Sequence, residues 1–123
     1  MGNETVLGKQ LCLMASQLGH RIFRCNQGES WIGQAVFFSK KAKIEVYPGD
    51  VIIRKAKRIH FGLVNGCGDY VGFSKEGKFI SVELKTLAGK IRDEQVAFSD
   101  AVNRAGGIAG IVRTEEEGLE LLS

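Results

Sequence analysis

Asp69-Tyr70-Val71-Gly72-Phe73-Ser74-Lys75-Glu76-Gly77-Lys78-Phe79-Ile80-Ser81-Val82-Glu83-Leu84-Lys85 holds two apolar-rich runs around the turn-forming Ser74-Lys75-Glu76-Gly77. That pattern predicts a β-hairpin. From Phe79 to Lys85 a two-residue period puts Ile80, Val82 and Leu84 on one face and Ser81, Glu83 and Lys85 on the other. The apolar face belongs on a core. The other presents Glu83 and Lys85 as neighbours near the strand's end. In a hairpin centred on Lys75-Glu76, Asp69 falls across from them, just after the glycine-rich Asn65-Gly66-Cys67-Gly68. Two carboxylates and one ammonium therefore converge at a sheet end.

Downstream, Thr86 to Ile91 reads as a loop. A helix follows from about Arg92 to Ala105, with Phe98, Ala101, Val102 and Ala105 as its apolar stripe and Gly106-Gly107 as its stop. Ile108 to Val112 is a short apolar run that fits a buried strand. Thr114-Glu115-Glu116-Glu117 is a capping-box pattern that opens a last helix to Leu122.

Upstream, Val6, Leu7, Leu11, Met14, Ala15 and Leu18 recur at helical spacing over Glu4–Leu18, with Asn3 as cap and Gly19 as stop. Glu4 stands one turn before Leu7, which places it at the start of the buried stripe. Ile22 to Cys25 reads as a strand. Lys43–Val46 and Val51–Arg54 flank Pro48-Gly49-Asp50 and predict a second, basic hairpin. Trp31 to Ser39 fits no single element. The order α-β-(β-hairpin)-β-β-α-β-α is an α/β arrangement, a mixed sheet with flanking helices in one layered domain over 1–123.

The bulk properties agree with that size. The 123 residues suit one domain, and 44% apolar content can fill a core. No apolar run reaches the roughly 18–20 residues that span a bilayer, so no membrane partner is expected. The opening Met1-Gly2-Asn3-Glu4 lacks a signal-peptide pattern, and Val6 breaks the myristoylation motif. Cys12, Cys25 and Cys67 are widely spaced and odd in number, and His20 and His60 stand far apart. That spacing argues for a reducing, cytoplasmic setting and against a disulfide frame or a zinc site. Cys12 reads as helix core, and the other two as small half-buried residues.

Net charge is +3, but it is unevenly spread. Lys40, Lys41, Lys43, Arg54, Lys55, Lys57 and Arg58 face only Glu45 and Asp50 within 40–58, a local excess of five. A basic lobe of this kind suits a polyanion such as DNA. It equally suits a solvated hairpin whose lysines protect an edge.

The set Asp69, Glu83 and Lys85 admits two readings. Two carboxylates can hold Mg²⁺ or Mn²⁺, hard ions that take oxygen ligands, and a lysine can steady charge on a phosphate under attack. The same residues can form a cross-strand salt bridge on a wet sheet face. Gly66-Cys67-Gly68 opens like a nucleotide-binding loop, but Val71 and a following strand break that pattern, so no nucleotide cofactor is expected.

From Gly66 to Val112 the chain resembles the viral replication and repair nuclease domain, a branch of the PD-(D/E)xK superfamily. The likeness runs through Gly68-Asp69-Tyr70-Val71-Gly72, Glu83-Leu84-Lys85, Leu87-Ala88-Gly89-Lys90-Ile91 and Glu94-Gln95. It continues through Gly106-Gly107-Ile108-Ala109-Gly110-Ile111-Val112-Arg113. Gly68 stands where the superfamily name has proline, and residues 33–60 show only scattered likeness.

The resemblance implies a restriction-endonuclease-like fold with Asp69, Glu83 and the Leu84 carbonyl as metal ligands and Lys85 as catalytic lysine. It implies Gln95 beside the active site and Glu4 joining the metal directly or through water. It further implies a phage or prophage protein, a homodimer, and cleavage of branched DNA such as four-way junctions. A non-catalytic nucleic-acid-binding module and an RNA-directed nuclease are the alternatives.

Overall fold

The structure, a computed structural model, describes residues 3–36 and 38–123. The chain forms α1 (Asn3–Gln17), β1 (Arg21–Arg24), β2 (Gly28–Ala35), β3 (Ile53–Phe61), β4 (Tyr70–Phe73), β5 (Phe79–Leu84), α2 (Asp93–Arg104), β6 (Ile108–Val112) and α3 (Glu115–Leu122). Asn3, expected as a cap, is the first residue of α1. Two compact units result. One is built from the chain up to Asn26 and from Leu63 to Ser123, the other from Gln27–Gly62. No helix among the described residues is long and apolar enough to cross a membrane.

The larger unit is a four-stranded mixed sheet in the order β1-β4-β5-β6. β1, β4 and β5 run antiparallel, with Arg24 opposite Tyr70 and Tyr70 opposite Val82. β5 and β6 are parallel, pairing Glu83 with Ile111 and Leu84 with Val112. A parallel pair needs a crossover, and α2 supplies it. The alternation of β5 sends Ile80, Val82 and Leu84 into one cluster with Leu7, Leu11 and Ala15 of α1, Ile22, Val112 and Leu122. Leu11, Ile80 and Val82 are essentially inaccessible, and burying each such side chain contributes about 1.5–3 kcal/mol.

The opposite face of β5 is buried too. Ser81 and Glu83 are both covered, and Gln95 of α2 is buried against Glu83. The sheet therefore has helices on both faces, and the face that carries Ser81 and Glu83 is covered.

His20 is a structural residue. Its Nδ1 accepts from Lys75 N at 3.1 Å, which leaves Nε2 to donate to Leu122 O at 2.8 Å. One ring thus joins the exit of α1, the β4–β5 turn and the end of α3.

The smaller unit is the antiparallel pair β2–β3, with Gly28 opposite Phe61, Trp31 opposite Arg58 and Ala35 opposite Ile53. A bulge between Ile32 and Gln34 coincides with Lys55 in a left-handed conformation, φ 52°. Here the sequence expectation needs correction. The Pro48-Gly49-Asp50 turn forms: Asp50 N donates to Tyr47 O at 2.9 Å, and Tyr47 N donates to Asp50 Oδ2 at 2.7 Å. Yet Lys43–Val46 is not a strand, and the partner of β3 is 28–35. A turn signal fixes only its own few residues. The ladder went to the segment that combines Trp31 and Ile32 with the right spacing. Arg54, Lys55, Lys57 and Arg58 lie on β3, Lys40, Lys41 and Lys43 in the connecting segment, and all seven are exposed.

Candidate active site

Asp69 sits just ahead of β4, and three interactions fix it. Its carbonyl accepts from Cys25 N at 2.7 Å, which ties it to the end of β1. Its Oδ2 accepts from Leu84 N at 2.9 Å, so the carboxylate extends the ladder past Tyr70. Its Oδ1 faces the half-exposed Arg24 guanidinium at 3.8 Å.

The glycine loop makes this approach possible. A Cβ on Gly68 would lie 2.6 Å from the Val82 carbonyl. A Cβ on Gly66 would run into the Glu94 carbonyl, and Gly66 also has φ +92°. Only glycine lets backbone pass this close to β5 and α2. Gly68 N then donates to Ser81 Oγ at 3.0 Å.

Glu83 is 8% exposed. Its Oε1 accepts from Gln95 Nε2 at 2.6 Å and lies 3.7 Å from Lys85 Nζ. Gln95, 3% exposed, is committed at both ends, because its Oε1 also accepts from Arg92 N at 2.9 Å. One side chain thus caps the first turn of α2 and holds the acid on β5. Burial pushes the Glu83 carboxyl up to about 7, the neighbouring Asp69 charge adds to that, and Lys85 and Arg92 oppose it.

The structure therefore brings Asp69, Glu83, Lys85 and Gln95 together, with Leu84 between the two acids. Glu4 is different. It is exposed, not at the start of a buried stripe. It lines an open cavity of about 390 Å³ with Lys85, Thr86, Leu87 and Arg113. These residues follow the ends of β5 and β6, so the first turn of α1 runs past the strands that would cover it. Among the described residues, no group of three or more His, Cys, Asp or Glu side chains is gathered closely enough to hold an ion. Glu4 thus shares a cavity with Lys85 but is not gathered with Asp69 and Glu83 into a group of three.

Two neighbours were not legible in the sequence. Arg113 donates through Nη1 to Leu87 O at 3.3 Å and also to Thr86 O, pinning the segment that follows Lys85. Cys25 and Cys67, 42 positions apart, bring their sulfurs to 4.0 Å. Cys67 is buried, not half-buried as expected. Burial, then Cys25, then the Glu83 and Asp69 charges push its thiol up to about 12. Nothing local announces either approach, since the sheet topology alone makes it.

The chain matches no family model and no curated protein.

The site's donor chemistry is compatible with a hard divalent cation. Asp69 and Glu83 offer carboxylate oxygens only, and they stand close enough that one charge raises the other's pKa. Each spends one oxygen on the scaffold, Oδ2 on Leu84 N and Oε1 on Gln95, and the other Asp69 oxygen faces Arg24 at 3.8 Å. A pair of like charges with one member buried gains from a cation between them.

Proposed function

We propose that this chain is a divalent-metal-dependent DNA endonuclease of restriction-endonuclease-like fold, related to the viral replication and repair nucleases. The observation that carries the reading is Glu83. It is a carboxylate held in a dry site beside a second acid, with Lys85 at 3.7 Å and a buried glutamine fixing its orientation. A surface salt bridge needs no burial and no glutamine, so the simpler cross-strand pairing accounts for less of what is present.

Asp69 and Glu83, with the Leu84 carbonyl, would hold Mg²⁺ or Mn²⁺. When bound, that ion supplies charge to a phosphate oxygen and lowers the pKa of a coordinated water. Lys85 is aimed by Glu83, and its ammonium would steady the extra negative charge of the pentavalent phosphorus. Gln95 fixes the Glu83 rotamer, so the acid does not swing when the phosphodiester arrives. Arg113 holds the backbone at Thr86 and Leu87, which keeps Lys85 at its post. The basic residues of 40–58 would attract the DNA backbone. We further propose a homodimer acting on branched DNA, whose two-fold symmetry matches paired scissile strands.

The test is a cleavage panel of linear, flapped and four-way DNA with a matched RNA duplex, with and without Mn²⁺. Metal-dependent scission is expected, strongest on branched DNA, and Lys85→Ala should lower it by about a hundredfold or more. DNA binding without scission at any metal concentration would replace this reading with a non-catalytic binding module. Preferential cutting of RNA would move the substrate class.

A further inference from the structure

We infer that Cys25 and Cys67 form a redox modification site, a thiol pair that closes to a disulfide under peroxide. Neither residue has a role in the proposed chemistry. Their sulfurs already lie at 4.0 Å, although the residues are 42 positions apart. A disulfide needs about 2.05 Å, so the approach required is roughly 2 Å, within reach of side-chain rotation and a small loop shift.

The two thiols have different access. Cys25 is half-buried at the end of β1, while Cys67 is 4% exposed. Peroxide meets Cys25 first. The Cys25 sulfur takes one peroxide oxygen, the O–O bond breaks, and one water leaves carrying the thiol proton. The Cys67 sulfur then attacks the Cys25 sulfur, the S–OH bond breaks, and a second water leaves with the Cys67 proton. Two thiols and one peroxide become one disulfide and two waters.

The closure reports on the site because both segments end on Asp69. Cys25 N donates to the Asp69 carbonyl, and Cys67 is joined to Asp69 through Gly68 alone. Gly68 is already pressed against Val82, so the loop cannot absorb the contraction by sinking toward β5. The movement passes to Asp69 and loosens its carboxylate from Leu84 N. A displacement near 1 Å at a reacting group can cost about a hundredfold in rate.

The experiment is peroxide titration of the whole protein, followed by non-reducing peptide mapping and thiol counting after denaturation. A single intramolecular 25–67 linkage is expected, with titratable thiols falling from three to one. Cys12→Ser should leave the linkage intact, and Cys25→Ser should abolish it. Hydrogen exchange at the Leu84 amide should accelerate in the oxidised form and revert with a dithiol reductant. Terminal oxidation of Cys25 without linkage, linkage through Cys12, or only intermolecular bonds would overturn the inference. Because mass and exchange are the readouts, failure here is separate from failure of the nuclease reading. If the reduced protein cleaves DNA, the oxidised form should be at least about tenfold slower, an effect absent from Cys25→Ser.

Discussion

Replacing Glu83 by Gln should make the protein more stable while removing its function. Without metal, Glu83 carries a buried charge next to Asp69, and its carboxyl rises from 4.5 to about 7. Each pKa unit corresponds to about 1.4 kcal/mol, so holding Glu83 ionised costs the folded state up to roughly 3 kcal/mol. The opposing pull of Lys85, whose side chain is only 17% exposed, is already contained in that figure. A gain of up to about 3 kcal/mol is expected at pH 8, or about 10 °C in Tm for a chain of this length.

The folded-state pKa lies above the unfolded one, so the folded wild type holds the proton more tightly. Its relative stability is intact below about 4.5 and is lost as pH rises through about 7. The advantage of Glu83→Gln should therefore be near zero at pH 4.5 and full by pH 8. Thermal melts in a chelator, at matched pH values, measure it. Adding Mn²⁺ at pH 8 should raise the wild-type Tm by mass action and leave the variant unmoved. A variant less stable than wild type at pH 8 in chelator would mean that Glu83 is not a destabilising buried charge. So would a stability difference that does not change between pH 4.5 and 8.

Two other perturbations test other parts of the molecule. Lys55, Lys57 and Arg58 changed together to Ala should weaken DNA binding and flatten its salt dependence by up to about 0.9 in log–log slope for each phosphate no longer neutralised; a salt-series titration reads this, and an unchanged slope would reduce 40–58 to a solvated segment. Gly66→Ala should destabilise more than Gly77→Ala in urea melts, because both have positive φ but only Gly66 lies against backbone, at Glu94; the Gly77 change should cost about 1 kcal/mol and the Gly66 change clearly more.

The strand Phe79–Leu84 was legible because its two-residue period is strong and its turn is marked by Gly77, which does adopt φ +83°. The helix carrying Gln95 and the final helix were legible because their ends carry chemistry. Thr114 Oγ1 does accept from Glu117 N at 3.2 Å. The basic hairpin was misplaced because a turn motif says nothing about which distant segment completes a ladder, and the true partner showed no clean period. The exposure of Glu4 is not readable from the sequence, because helical phase gives a direction but not whether a neighbour lies there. The convergence of Asp69, Glu83 and Lys85 followed from hairpin register. The burial of that face did not, since it depends on α2 folding back across β5.

The unit Gln27–Gly62 begins and ends at the same place. Gly28 pairs with Phe61, so the chain leaves Asn26 and returns to Leu63 across neighbouring strand ends. None of the pairings β1–β4, β4–β5 or β5–β6 uses a residue from this stretch. The ribbon is therefore a ladder of its own. Excision of 27–62 behind a short turn is expected to leave the ladder that aligns Asp69 with Glu83 in place.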